Sequence, residues 1–267
     1  MVVAAHDRDL LGGFCGHGLE LAAGRVKAFG PIGHDLESDR VASGLSSLLK
    51  PRTIEPMRVI VTGGAGFVGS SVCRLLEASG HDILSIDKLT YAGNLGSLRS
   101  IARSPRFLFA HADICDGPRM VALFHEFRPD GVMHLAAESH VDRSISSSRD
   151  FIETNVLGTH TLLEVARDYW VALRQPEKDA FRFLSVSTDE VYGSLGVEGK
   201  FTEQSPCDPS SPYSASKAAA DFLANSWHRT YGLPVMVSRC SNNFGPYQFP
   251  EKLIPLAVLN ARVGRPI

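Results

Sequence analysis

The chain has 267 residues, 44% of them hydrophobic and 21% charged, the balance of an ordinary globular protein with room for one large α/β domain or two small ones. A formal net charge of -2 gives no electrostatic case for nucleic acid. Five scattered cysteines (Cys15, Cys73, Cys115, Cys207, Cys240), odd in number and without a Cys-x-x-Cys pair, indicate neither a disulfide framework nor a thiolate zinc site and suit a reducing cytoplasm, and no apolar run is long enough to cross a bilayer.

Residues 1–56 are the anomaly. Glycine recurs there without a period, apolar residues settle into neither helical nor strand spacing, and Pro51 and Pro56 close the segment, so it is expected to be poorly ordered. Asp7, Asp9, Glu20, Asp35, Glu37 and Asp39 weigh against a transit peptide, and no basic stretch precedes an apolar core as in a secretion signal. Met57 stands directly before the first convincing strand and is expected to be the natural start.

From residue 58 the pattern changes. Val59, Ile60 and Val61 read as a buried strand, 62–69 as a glycine turn and 70–78 as a helix closed by Gly80. Gly63-x-x-Gly66-x-x-Gly69, overlapped by Gly64-x-Gly66-x-x-Gly69, removes Cβ atoms where a pyrophosphate must approach backbone N–H groups. The next strand, 83–86, ends in Asp87, near the offset of the acid that hydrogen-bonds an adenosine ribose and repels a 2′-phosphate. That favours NAD over NADP, although Lys88 tempers the preference because a cation there could tolerate a phosphate. Strand, glycine turn, helix and placed acid together point to dinucleotide binding.

The alternation continues through a short helix around 94–102, a strand at 107–110 ending near Asp113 and Ile114, a helix over 118–127 and a strand at 132–135. After it, Ala136 and Ala137 would let backbone pass close to a cofactor, or simply make a packed turn. His134, Glu138 and His140 have metal-ligating chemistry but no third ligand of matching spacing, so no metal site is expected. Apolar residues from Phe151 to Tyr169 recur at helical spacing and give one broad face, for the core or a dimer contact. Residues 174–179 read as a polar connection.

Phe183, Leu184 and Val186 then form a strand, leaving Thr188, Asp189 and Glu190 at the edge where open α/β sheets place ligands. Pro212 opens an alanine-rich helix on which Tyr213 and Lys217, four apart, project from one face. A neighbouring ammonium favours tyrosinate and would lower the Tyr213 pKa, making it a base for a hydroxyl losing hydride, while Lys217 could hold a ribose hydroxyl. Alone, such a pair is a common accident of helix surfaces. A strand at 234–238, an amide-bearing loop with Asn242 and Asn243, and an apolar helix over 252–263 complete the chain. The whole predicts a doubly wound parallel α/β sheet of the Rossmann type.

Taken together, the 62–70 turn, the run 87–94, residues 134–145, 187–193, the Tyr213/Lys217 pair and 242–255 closely resemble the dTDP-glucose 4,6-dehydratase family of extended short-chain dehydrogenase/reductases. The resemblance runs from Met57 to the last residue, and its most specific part is Thr188-Asp189-Glu190 with Tyr213-x-x-x-Lys217. It implies a cytoplasmic, commonly dimeric enzyme acting on dTDP-glucose. In that family tightly held NAD⁺ accepts hydride from sugar C4, water leaves across C5 and C6, and hydride returns to C6. By positional match Tyr213 takes the C4 hydroxyl proton with Thr188 assisting, Glu190 removes the C5 proton and Asp189 protonates the departing C6 hydroxyl. Neighbouring carboxyls in opposite protonation states require split pKa values. The same match puts Gly63, Gly66, Phe67, Gly69, Asp87, Lys88, Leu89, Thr90, Asp113, Ile114, Leu135, Ala136, Ala137, Glu138, Ser139, Thr154, Tyr213, Lys217 and Asn243 on NAD. Ser139, Thr188, Asn242, Lys252 and Leu253 would face substrate. Family members continue with a sizeable C-terminal portion, so the expected organisation is an unrelated extension over 1–56, an NAD-binding domain over 57–245, and the start of a truncated substrate domain over 246–267.

Two other readings stay open. A sibling 4-epimerase or decarboxylase shares the glycine turn and the Tyr/Lys pair but has no use for Asp189-Glu190; a dehydratase for a UDP-, CDP- or GDP-sugar is harder to separate. The second is a chain that binds NAD, or dimerises, without turnover.

Overall fold

In the computed structural model the described residues are 18–22, 25–30, 55–196 and 199–266. Within 1–56, where the sequence suggested no regular element, strands β1 (Gly18–Ala22) and β2 (Arg25–Gly30) pair antiparallel in a sheet of their own. The polar-apolar alternation of Arg25-Val26-Lys27-Ala28 is a short period-two signal that the surrounding glycines obscured. The expectation of disorder for the rest of that segment lies outside the described residues.

The main sheet is built from β3 (Arg58–Thr62), β4 (Asp82–Asp87), β5 (Phe107–His111), β6 (Gly131–His134), β7 (Arg182–Thr188) and β8 (Val235–Cys240), all parallel, in the order β5-β4-β3-β6-β7-β8. Each strand carries apolar residues on both faces, as a sheet covered by helices on each side demands. Ile60, Leu84, Val132 and Phe183 point into a core with Met120, Phe124, Leu162, Leu163 and Ala224. Their neighbours Val59, Val61, Ile83 and Met133 point into the opposite core, against Cys73, Leu76, Leu98 and Ile101.

The helices include α1 (Phe67–Ala78), α2 (Gly117–Phe127), α3 (Val141–Ser146), α4 (Thr159–Ala172), α5 (Glu177–Ala180), α6 (Pro212–Tyr231) and α7 (Leu253–Arg262), and of these α1, α2, α4 and α6 supply core residues named above, with Leu98 coming from a 3₁₀ turn. α4 is entered through a π-helical stretch, Ile152–Gly158. Local chemistry sets the ends: Asp116 caps α2 by accepting from Arg119 N at 3.0 Å, and Ser211 and Ser214 exchange hydrogen bonds as a capping box on α6. Two short helices were not foreseen. α3 begins inside what read as a packed turn, with His140 Nδ1 accepting from Arg143 N at 3.4 Å, and α5 interrupts the polar connection.

Because strand order reverses between β3 and β6, the loops leaving Thr62 and His134 diverge to opposite sides and open a crevice at the C-terminal sheet edge. Asp87, Thr188 and Cys240 end their strands at the same edge.

Candidate active site

The turn after β3 is folded so tightly that two of its glycines have no room for a side chain. A Cβ on Gly69 would lie 2.1 Å from the Gly63 carbonyl oxygen, and one on Gly63 would lie 2.7 Å from Ala136 N; Gly63 also has φ +69°. The turn thereby delivers its backbone to the start of α1, at the mouth of a cleft of about 310 Å³. Asp87 closes the adjoining wall, its carboxylate accepting from Ala65 N at 2.9 Å and from Leu89 N at 2.8 Å.

Of the residues singled out in the sequence, Gly63, Gly66, Phe67, Gly69, Asp87, Lys88, Thr90, Ile114, Leu135, Ala136, Ala137, Glu138, Ser139 and Thr154 line this cleft, as do Thr188, Glu190, Tyr213, Lys217, Asn242, Asn243 and Lys252. Four stand back from its wall. Leu89 packs into the core beneath α1, and Asp113 turns to Cys115 N (2.9 Å) and the Lys88 ammonium (3.5 Å). Asp189 starts a 3₁₀ turn beside Thr188, and Leu253 is 76% exposed on α7.

Lys88 donates to Thr154 Oγ1 at 2.9 Å as well as pairing with Asp113. Its charge is thus shared with Asp113 at the cleft wall, which lessens the attraction it can offer a phosphate. His134, considered above as a metal ligand, is fully buried with both ring nitrogens engaged. The Thr159 hydroxyl donates to Asn155 O (2.6 Å), so His134 Nε2–H must donate to Thr159 Oγ1 (2.9 Å), leaving Nδ1 to accept from Thr62 Oγ1 (2.8 Å). Burial holds this neutral imidazole's pKa down to about 3. Among the described residues no group of three His, Cys, Asp or Glu side chains is placed to hold a metal ion.

Tyr213 sits in the first turn of α6, buried against the Phe151 ring at 6.3 Å. Its phenol does not have the lowered pKa that the sequence suggested. Burial, then the Glu190 carboxylate, push it upward, and only the Thr188 hydroxyl works clearly against them. The physical reason lies in Lys217: its ammonium donates to Val186 O at 2.8 Å, deep in the wall, and its charge is answered by Asp221 rather than lent to the phenol. Glu190 is also shifted upward, first by burial and then by Asp189, with Lys252 opposing.

The comparisons with known proteins fit this geometry. A family model described as GDP-mannose 4,6 dehydratase matches residues 60–267. The chain belongs to the GDP-mannose 4,6-dehydratase family. Within reach of this family member is a probable dTDP-glucose 4,6-dehydratase of Sinorhizobium fredii, 59% identical over 211 residues that cover 79% of this chain and 60% of that one. The dTDP-glucose 4,6-dehydratase of Salmonella typhimurium is 57% identical over 221 residues, again 79% of this chain and 61% of the other. The chain therefore spans about 60% of the length of the curated relatives it matches. Among solved structures, a dTDP-glucose 4,6-dehydratase of Streptomyces venezuelae with NAD bound superposes with a TM-score of 0.71 at 48% identity, covering 78% of this chain and 63% of that one. A UDP-glucose 4-epimerase of Thermotoga maritima reaches 0.70 at only 29% identity, covering 79% and 65%. The resemblance to dTDP-glucose 4,6-dehydratases and the Rossmann-type fold are borne out; the fold alone does not separate dehydratase from epimerase.

This GDP-mannose 4,6-dehydratase family member also uses residues that sequence reading passed over. Asn155, buried in the π-helical stretch, accepts from Glu138 N (2.9 Å) and donates to Glu138 O (3.0 Å) and Ser216 Oγ (2.9 Å), tying the cleft loop after β6 to α6. Its neighbour Thr154 was the only hint. At the rim, Glu251 accepts from Tyr91 Oη (3.2 Å) and faces Arg143 (3.8 Å), whose guanidinium stacks over the Tyr91 ring, while Lys252 donates to Ser139 O (3.0 Å). These side chains are far apart in sequence and no local period links them.

Proposed function

We propose that this chain carries the NAD site and the acid-base residues of a cytoplasmic dTDP-glucose 4,6-dehydratase, a hydro-lyase that yields a 4-keto-6-deoxy sugar nucleotide. One observation carries the reading: Thr188, Glu190 and Tyr213 line the same cleft as the glycine turn, and Glu190 follows Asp189 in a carboxyl pair for which an epimerase has no use.

The residues fit the cofactor. The crowded positions of Gly63 and Gly69 hold backbone where a pyrophosphate needs it, Asp87 ends β4, and Lys88 is paired with Asp113. When bound, oxidised NAD would supply a transient hydride acceptor and a positive charge near the phenol. As the tyrosinate which that positive charge would favour, Tyr213 accepts the C4 hydroxyl proton while the Thr188 hydroxyl holds that oxygen, and Lys217 anchors the cofactor side of the helix. Once C4 is a ketone, Glu190 removes the acidified C5 proton; its raised pKa makes it the stronger base. Asp189, set back from the cleft wall beside Glu190, is the carboxyl assigned to protonate the C6 oxygen as water leaves, and Ser139, Asn242 and Lys252 on the cleft wall contact the sugar nucleotide. The protein acts as a homodimer, a reading supported by exposed apolar residues such as Val171 on α4 and Phe222 on α6.

Incubation with NAD⁺ and dTDP-glucose, with UDP- and GDP-glucose as parallel arms, tests the proposal. A 4-keto-6-deoxy product from the dTDP-sugar supports it. NAD retention without product from any of them would instead favour a binding module.

A further inference from the structure

Beneath the cleft floor lies a group of buried charges that takes no direct part in the chemistry above. Lys217 is 4% exposed and donates a hydrogen bond to the Val186 carbonyl. One helical turn along α6, Asp221 is fully buried. Arg239 on β8 reaches it through Nε at 2.9 Å to Oδ2, and the same guanidinium donates to Tyr192 Oη at 2.7 Å, which fixes its plane. The other carboxylate oxygen, Oδ1, is buried beside the Ser187 hydroxyl, the neighbour placed to donate to it. A carboxylate so enclosed is costly unless its charge answers other charges.

We propose that Asp221 is a positioning residue for Lys217, its carboxylate holding the ammonium at the cleft floor from one turn away while Arg239 anchors the carboxylate. A lone ammonium at that depth would tend to shed its proton; burial does push Lys217 downward, and Asp221 is the largest influence opposing it. The groups facing Lys217 are few: Asp221 on its own helix, Cys240 on β8, and neutral His134 on β6. Of these only Asp221 is a carboxyl group, and the Arg239 guanidinium on its Oδ2 favours the charged form.

That Lys217 serves a cofactor rests on the function proposed above; its dependence on Asp221 does not, and the two are tested apart. Lysine side chains labelled with ¹³C at Cε report the Lys217 titration by NMR with no cofactor or substrate present, the signal being identified by its loss in Lys217→Arg. Asp221→Asn is expected to move that titration down by about one pH unit or more, and Asp221→Glu to restore most of the shift. A titration in Asp221→Asn that superimposes on the unmodified protein's overturns the proposal. Should Asp221→Asn not fold, Arg239→Gln decides: it leaves the carboxylate and removes a competing cation, so the Lys217 titration rises or stays, and a fall overturns the proposal. NAD titration of the same variants reads the function separately, and absence of NAD binding in the unmodified protein would count against the proposed function alone.

Discussion

The Lys88 ammonium donates to the Thr154 hydroxyl at 2.9 Å and lies 3.5 Å from Asp113, so the cation that follows Asp87 is already paired at the cleft wall. Cofactor preference then depends on the Asp87 carboxylate, which would repel a 2′-phosphate. Asp87→Ser is expected to raise NADP affinity relative to NAD by about tenfold, the order of one lost like-charge contact, whereas Lys88→Met should leave the ratio within about threefold. Fluorescence titrations with both cofactors check this. A large loss of NADP binding in Lys88→Met would show that the lysine does reach a phosphate.

Tyr213 stands well above the ordinary tyrosine value because burial and Glu190 both disfavour tyrosinate. Since the folded value is raised, the linked stability is intact below the unfolded value, about 10, and declines as pH climbs past it, where only the unfolded chain ionises readily. Positive charge entering the cleft should reverse part of that shift. Ultraviolet difference titration is expected to show the Tyr213 signal, assigned with Tyr213→Phe, moving to lower pH when NAD⁺ is added but not when NADH is. Equal shifts with both forms would mean that charge is not the cause.

His134 makes the opposite case. Its pKa in the folded protein, about 3, is depressed below the usual histidine value, so its share of stability is complete above about pH 6.5 and is lost as pH falls, because the unfolded chain takes the proton first. His134→Phe should flatten the acid limb of the stability curve. It should also cost about 2 kcal/mol at neutral pH, since the Thr62 and Thr159 hydroxyls lose a partner. Urea denaturation across the acid range measures both effects, and an unchanged acid slope would remove His134 as the responsible group.

Gly69 and Gly80 distinguish crowding from backbone strain. A Cβ at Gly69 meets two backbone atoms of Gly63, at 2.1 and 2.8 Å, which cannot move without unfolding the turn. Gly80 has φ +87° but nothing within 4 Å of its Cβ position. Gly69→Ala is therefore expected to cost about 3 kcal/mol and to abolish dinucleotide binding, while Gly80→Ala costs about 1 kcal/mol and leaves binding intact. Thermal unfolding with and without NAD separates the two.

What could be read from the sequence was whatever had a local signature. Val59, Ile60 and Val61, the glycine turn and Asp87 follow one another along the chain, so the β-turn-α unit and its acid were visible, as was the run from Phe183 to Glu190. The capped start of α6 was announced by Pro212. What was not visible depended on side-chain direction across long sequence separations. Lys88 turning to Thr154, Lys217 directed to Val186 rather than toward Tyr213, and Glu251 gathering Tyr91 and Arg143 are tertiary choices. The electrostatic inference about Tyr213 failed for this reason: spacing along a helix places two side chains on one face but does not say where a long ammonium ends.

Glu190→Gln isolates the elimination step of the proposed reaction. The amide keeps the shape of the side chain but cannot accept a proton from carbon. It also removes the negative charge that helps to hold the Tyr213 phenol protonated. Oxidation at C4 should therefore proceed, and reduced NAD should accumulate where the unmodified enzyme shows none. Overall turnover should fall about 10³-fold, within the range of a lost general base, or about 4 kcal/mol in barrier. Absorbance of the reduced nicotinamide together with exchange of the C5 hydrogen in deuterated buffer reads the two steps separately. Rapid C5 exchange in the variant would transfer the role of base to another residue, with Asp189 the nearest carboxyl in sequence to take it.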